Sequence, residues 1–168
     1  MPCPCRKPQP SYPEPVEWGP TLWKILHSFA ERSGRITNPM FQADEKRQWV
    51  LLLTTLPQVI PCDHCREHAA AWIATHPIAP LRDLPYAEVH GWLVDYLYML
   101  HDAVNSRLSK PAFDRATLAT TYGAVNPQDE LRRITPTLQI AIQLSGVRLL
   151  SWRAWKGYAL MLASFYGL

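Results

Sequence analysis

Apolar residues recur along this chain at steps of three and four, and no stretch of useful length alternates as a strand would. Leu22, Trp23, Leu26, Phe29 and Ala30 share one side of a helix expected from Pro20, at its first position, to about Arg32, with Gly34 closing it. Asn38 as cap and Pro39 behind it open a second helix. Its early turns are polar (Asp44, Glu45, Lys46, Arg47). Trp49 to Leu56 is nearly all apolar, so this half is expected deep in the core until Pro57 ends it. A third helix is expected from about Cys62 to about His76, where Pro77 stops it. Val89, Trp92, Leu93, Tyr96, Leu100 and Val104 mark the longest, from about Tyr86 to Leu108. A short fifth runs from about Asp114 to Tyr122, before Gly123. Asn126-Pro127 then opens an appendix that Thr135-Pro136 is expected to interrupt, leaving helices at Leu138 to Leu150 and Trp152 to Tyr166. These two helices either pack on the bundle or offer a partner surface. The fold class is all-α: a four-helix bundle plus a short fifth helix, with a C-terminal helical extension.

Composition adjusts this picture in few places. At 168 residues and 48% hydrophobic content, one domain with a real core is expected. Residues 1–17 hold six prolines and read as an extended arm, 18–123 as the bundle, and 124–168 as the extension. A net charge of +3, without a dense Lys/Arg run, argues against a nucleic-acid partner. Arg6 and Lys7 have no apolar run behind them, and no apolar stretch is long enough to span a bilayer. A soluble protein without signal peptide or transmembrane segment is expected.

The candidate chemistry begins at Pro61-Cys62-Asp63-His64-Cys65-Arg66-Glu67-His68. Close cysteine pairs, here Cys62/Cys65 and Cys3/Cys5, suit redox chemistry or metal binding better than a disulfide framework. At a helix N-terminus the partial positive charge favours the thiolate, the species that attacks a disulfide. Cys62, Cys65 and His68 would equally serve as zinc ligands, with Cys3, Cys5, His64 or His76 as a fourth. The stretch alone leaves both readings open, the second being a zinc-stapled helical interaction module. Trp23 and His27, four apart, share a helix face that could meet a planar ligand, or be ordinary core. His101 and Asn105 share another face, with Lys110 just beyond, and suit a nucleotide, or a plain helix end.

Three motifs in order, Trp18-Gly19-x-x-x-Trp23-x-x-x-His27, Pro61-Cys62-x-x-Cys65 and His101-x-x-x-Asn105-x-x-Leu108-x-Lys110-Pro111-x-Phe113-Asp114, resemble the Erv/ALR family of FAD-linked sulfhydryl oxidases. The resemblance covers about Glu17 to Gly123. It implies a bundle that holds FAD without a Gly-rich fingerprint, and none occurs here. It implies that Gly19, Trp23, His27, His101, Asn105, Leu108, Lys110 and Tyr122 contribute to the cofactor site. It makes Cys65 the cysteine beside the flavin and Cys62 the outer one, and no metal is called for. It further implies oxidation of protein dithiols, those of a thioredoxin-like carrier among them, with molecular oxygen reduced to hydrogen peroxide, and a homodimer through the first helices. Cys3-Pro4-Cys5 would be a shuttle pair on the arm. Mitochondrial intermembrane space, bacteria and virus-infected cytoplasm are the settings the family suggests. The chain departs from the pattern at Tyr98 and Arg115, where a structural disulfide is common, and at Asp102 and Tyr122, where Asn and Trp are usual. The missing bridge is worth about 2–4 kcal/mol, which the extension is expected to offset by covering the bundle.

Overall fold

The computed structural model describes residues 10–168; the Cys3/Cys5 shuttle call lies outside the described residues. Seven α-helices follow one another: α1 Pro15–Ala30, α2 Pro39–Thr55, α3 Asp63–Thr75, α4 Val89–Arg107, α5 Leu118–Tyr122, α6 Pro127–Gln143 and α7 Leu149–Phe165. Single turns of 3₁₀ helix at Leu56–Val59, Ala79–Arg82, Tyr86–Glu88 and Arg115–Thr117 complete the connections, and no strand occurs among the described residues. The all-α expectation is met.

Capping chemistry sets most of these ends. Asn38, Asp114 and Asn126 accept from the backbone N–H two residues on, at 2.9–3.0 Å. Helices α4, α6 and α7 all close the same way. Ser109, Ser145 and Gly167 adopt positive φ, and the following N–H returns to the carbonyl of Asn105, Ala141 or Ala163 at 2.9–3.0 Å.

Two prolines overturn the expected boundaries. Helix α1 begins at Pro15 instead of Pro20, because the Glu17 carboxylate accepts the Glu14 N–H at 2.6 Å and fixes the first turn there. Pro20 then lies inside the helix and forgoes only the bond to the carbonyl of Val16, an exposed residue open to water. Pro136 does not interrupt the appendix; α6 runs through it. Leu131, Ile134, Leu138 and Ala141 make one buried stripe across the proline, and burying that stripe outweighs a cost of about 3 kcal/mol. The expected helix from Leu138 to Leu150 is instead the end of α6, a tight turn and the start of α7.

The appendix is part of the packed core. Helix α6 lies along α1 and α7 along α2, the two most extensive helix pairings in the molecule. One apolar cluster runs from Trp18 through Trp49 and Leu97 to Trp155 and Leu162. A buried polar node secures it. Glu45, with 0% of its surface exposed, accepts from Tyr86 Oη and Tyr166 Oη at 2.5 Å each and from the Gly34 N–H at 3.1 Å. Tyr166 in turn accepts from Trp49 Nε1 at 2.9 Å. A buried carboxylate is tolerable only when so paired. Glu45 thus ties α2 to the end of α7, against the expectation of a merely polar early turn.

Candidate active site

Pro61 is buried and extended chain delivers Cys62 to the N-cap of α3. Cys62 and Cys65 are joined as a disulfide, with Cα atoms 5.2 Å apart. The Cys62 Sγ also accepts the Cys65 N–H at 3.2 Å, so the sulfur occupies the place of a capping oxygen. Helix α3 therefore aims its free N–H groups and positive end at this sulfur, which stabilises a thiolate there once the disulfide is reduced.

Arg66, next in sequence, fastens the redox turn to the rest of the chain. Its guanidinium donates to the carbonyls of Ile60 at 3.0 Å and Gly146 at 2.6 Å and to Asp63 Oδ1 at 3.1 Å. Gly146 belongs to the α6–α7 turn, and a Cβ there would lie 1.9 Å from Tyr12 Oη. The arm residue Tyr12, the appendix and the redox helix thus meet at one point, which no local sequence signal marked.

Helical spacing puts Cys65 on the same stripe of α3 as Ala69 and Trp72. These two residues, with His68, line a groove of about 350 Å³ whose other wall is Leu100, Ala103, Val104 and Arg107 of α4. That volume suits a small-molecule site. Alanines keep the floor open, and Arg107 Nε is buried there without a hydrogen-bond partner, a donor awaiting an acceptor. Trp72 stacks on His76 at 3.9 Å, and Tyr96 Oη donates to the His76 carbonyl at 2.9 Å, which fixes the groove's far end.

The next stripe of α4 carries His101 and Asn105 toward α1. His101 stacks on Trp23 at 4.0 Å, and His101 Nδ1 lies 3.0 Å from His27 Nε2. His27 is 2% exposed and stacks on buried Tyr122 at 4.6 Å, with Phe113 beside both His101 and Tyr122. The structure therefore brings Trp23, His27, His101 and Tyr122 into one cluster. In it Trp23 and His27 have each other and His101 as partners. Asn105 is half-buried, and its carbonyl accepts the Lys110 N–H at 2.9 Å, so it sets where the lysine leaves the helix. Leu108 caps α4 and is exposed; Gly19, one turn before Trp23, has open space around its Cα. Asp102 Oδ1 is buried and unpartnered. Where a bridge from Tyr98 to Arg115 is missing, Arg115 Nε instead donates to Asp95 Oδ1 at 2.5 Å, an exposed ion pair worth at most about 1 kcal/mol.

Burial, and the positive charge of its neighbour, hold His27 down to a pKa of about 3. Burial and then the Lys110 ammonium hold His101 down to about 4, with Asp102 opposing. Both rings are neutral at pH 7, so one donates to the other. Once unfolded they take up protons at about 6.5. The unfolded chain thus binds more protons below that pH. The stability the pair contributes is complete above about pH 6.5 and falls as pH drops toward 4. Melting temperatures between pH 7 and 5 should drop less steeply for His101→Phe than for the wild type; equal slopes would refute the assignment.

Small residues, an unpaired arginine donor, neutral imidazoles and a nearby lysine fit the flavin nucleotide that the motifs imply. For zinc, no three candidate donors converge among the described residues. No helix among the described residues is long and apolar enough to cross a membrane. Comparison with known proteins gives the same direction. The FAD-linked sulfhydryl oxidase of African swine fever virus (isolate Pig/Kenya/KEN-50/1950) is 28% identical over 97 residues, 56% of this chain and 71% of that protein. The mitochondrial FAD-linked sulfhydryl oxidase erv1 of Schizosaccharomyces pombe is 28% identical over 105 residues, 62% of this chain and 53% of that protein. No solved structure matches the chain at comparable significance. Residues 20–123, which carry the redox turn, the groove and the histidine cluster, match the Erv1 / Alr family, and the chain belongs to that family.

Proposed function

We propose that this protein is an FAD-linked thiol oxidase that makes disulfides in protein dithiols and passes the electrons to molecular oxygen, giving hydrogen peroxide. The observation that carries this reading is the Cys62–Cys65 disulfide at the N-terminus of α3, on the stripe that lines the α3–α4 groove.

A substrate thiolate attacks Cys62 Sγ, the Cys62–Cys65 bond breaks, and Cys65 leaves as a thiolate at the positive helix end. The second substrate thiolate then displaces Cys62, so the substrate departs as a disulfide and both enzyme sulfurs are reduced. Cys65, one turn before Ala69 of the groove wall, would be the donor to the cofactor. When bound there, FAD supplies a two-electron acceptor that oxygen can reoxidise. Arg107, with its unpaired Nε, and Trp72, with its aromatic face, would help hold the group in the groove. Asn105 and Lys110 would hold the nucleotide end, and Lys110 would supply the charge for its phosphates. His27 fixes the tautomer and tilt of His101 from beneath.

The arm fits a relay role for Cys3 and Cys5. Tyr12 packs over Gly146 beside Arg66, the residue after Cys65. From Cys5 to Tyr12 is seven residues, a contour of roughly 23 Å at about 3.3 Å each. A homodimer through the first helices would use the sides of α1 and α2 that α6 and α7 leave open, where Val16, Met40 and Phe41 are exposed.

The purified chain is expected to be yellow, with an absorption band near roughly 450 nm from oxidised flavin, and to consume oxygen when given a dithiol. A colourless protein that carries stoichiometric zinc would overturn the reading.

A further inference from the structure

A protein dithiol that attacks Cys62 must also lie against what surrounds it. Cys62 is half-buried at the N-cap of α3, so a thiolate reaches its Sγ only when the protein carrying it presses on the neighbouring surface. Even a transient redox encounter buries about 600 Å² on each partner, a patch of roughly 14 Å radius. The surface beside Cys62 is therefore part of substrate binding, and the C-terminal extension reaches it.

Arg66 brings the extension there. One nitrogen, Nη2, donates both to the Ile60 carbonyl at 3.0 Å and to the Gly146 carbonyl at 2.6 Å. The α6–α7 turn is thus a neighbour of the segment that delivers Cys62. The first turn of α7 is tied to the same place. Ser151 Oγ donates to Gln58 Oε1 at 3.2 Å, in the 3₁₀ turn that leads into Pro61 and Cys62. This corner is apolar where it meets water. Leu144, Leu149 and Leu150, all within four residues of Gly146, are 39%, 52% and 77% exposed, and Tyr12, packed on Gly146, is 40% exposed. They are four of the eleven large apolar side chains exposed among the described residues, so the exposure is gathered and not scattered. No Asp or Glu occurs from 144 to 168 to interrupt it. The fold does not call for these leucines. The turn closes on backbone bonds from the Gly146 and Val147 N–H groups to the Ala141 carbonyl, and the first turn of a helix favours polar residues over leucine.

We propose that the exposed leucines of the α6–α7 turn, with Tyr12, form the docking surface for the incoming protein dithiol and select dithiols whose cysteines are flanked by apolar residues. The exchange keeps its course. The substrate thiolate bonds to Cys62 Sγ as the Cys62–Cys65 bond breaks, and the second substrate thiolate then displaces Cys62, leaving a substrate disulfide and two enzyme thiols. The inference rests on the proposed function in taking Cys62 as the sulfur attacked. The three leucines lie beyond residues 20–123, the stretch that matches the family, so this surface is the chain's own addition.

The test uses the full chain carrying Cys3→Ser and Cys5→Ser, so that only Cys62 and Cys65 exchange. Two synthetic dithiol peptides are compared, each Cys-Gly-Pro-Cys, one flanked by Trp and Leu and the other by Ser and Gly. The peptide disulfide formed in the first turnover without oxygen is measured, a step that needs no flavin. The apolar peptide should react at least about tenfold faster, the factor that burial of one leucine side chain supplies. Leu149→Ser/Leu150→Ser should bring the two peptides within about twofold of each other, while its reaction with dithiothreitol, which meets only the sulfurs, and its helical circular dichroism hold. Equal rates for the two peptides in the unsubstituted leucine background would overturn the proposal, and so would a preference that survives the double substitution. A double variant that changes only the oligomeric state in sedimentation would assign the leucines to a second copy and overturn it too. Failure of dithiothreitol to reduce the disulfide would overturn both this proposal and the oxidase reading. Exchange without oxygen consumption would sink the oxidase reading alone.

Discussion

Ending the chain at Val125 is expected to abolish cooperative unfolding, leaving a protein without a sharp thermal transition. The deletion removes α6 and α7, and with them buried Leu131, Ile134, Leu138, Trp152, Trp155 and Leu162. It uncovers the sides of α1 and α2 on which these residues lie. Loss of one buried tryptophan alone costs about 3–5 kcal/mol, against a whole-domain stability of about 5–15 kcal/mol. The deletion also orphans polar groups that are fully buried. Trp155 Nε1 donates to the Leu52 carbonyl at 3.2 Å, and Tyr166 Oη supplies one of three donors to Glu45. A milder variant reports on the same joint in a protein that still folds. Tyr166→Phe leaves the ring in place but withdraws one bond from the Glu45 carboxylate and one acceptor from Trp49. It should cost about 1–3 kcal/mol. Circular dichroism melts measure both. A truncated chain that melts where the full chain does would show that the extension does not hold up the bundle.

The same joint shows where sequence reading succeeds and where it fails. Helix starts marked by Asn38-Pro39 and Asn126-Pro127 were legible, because a cap and its proline act within four residues. The redox turn and both histidine stripes were legible too, as residue types at helical spacing. Pro20 and Pro136 misled for one physical reason. A proline inside a helix costs about 3 kcal/mol locally, and only the tertiary face shows whether burial outweighs it. Glu45 was not legible at all. Its partners stand 11, 41 and 121 residues away, and nothing in a run of charged side chains marks the one that turns inward. The Arg66–Gly146 contact and the His64–His68 pairing are of the same kind: they depend on side-chain directions that spacing permits but does not determine.

The two redox cysteines were equivalent as a motif and are unequal in the fold, and this inequality predicts how their variants fail. Cys65→Ser and Cys62→Ser should each lower kcat/KM for dithiol oxidation by at least about a thousandfold, since each removes one sulfur of the exchange. What accumulates should differ. In Cys65→Ser, Cys62 remains at the N-cap, stabilised as a thiolate by the end of α3. It can enter a mixed disulfide with an oxidised substrate or with the arm, and no neighbouring sulfur resolves it. In Cys62→Ser the remaining thiol sits one turn before Ala69 of the groove wall. If, as proposed, the flavin lies in that groove, this thiol faces the cofactor and not the incoming protein dithiol. Non-reducing gels and intact-mass spectrometry should therefore find trapped substrate adducts in Cys65→Ser and few in Cys62→Ser. Persistent oxygen consumption by Cys65→Ser would remove it as the electron donor. Equal trapping in both variants would mean that the groove excludes nothing and that the outer and inner roles are not set by α3.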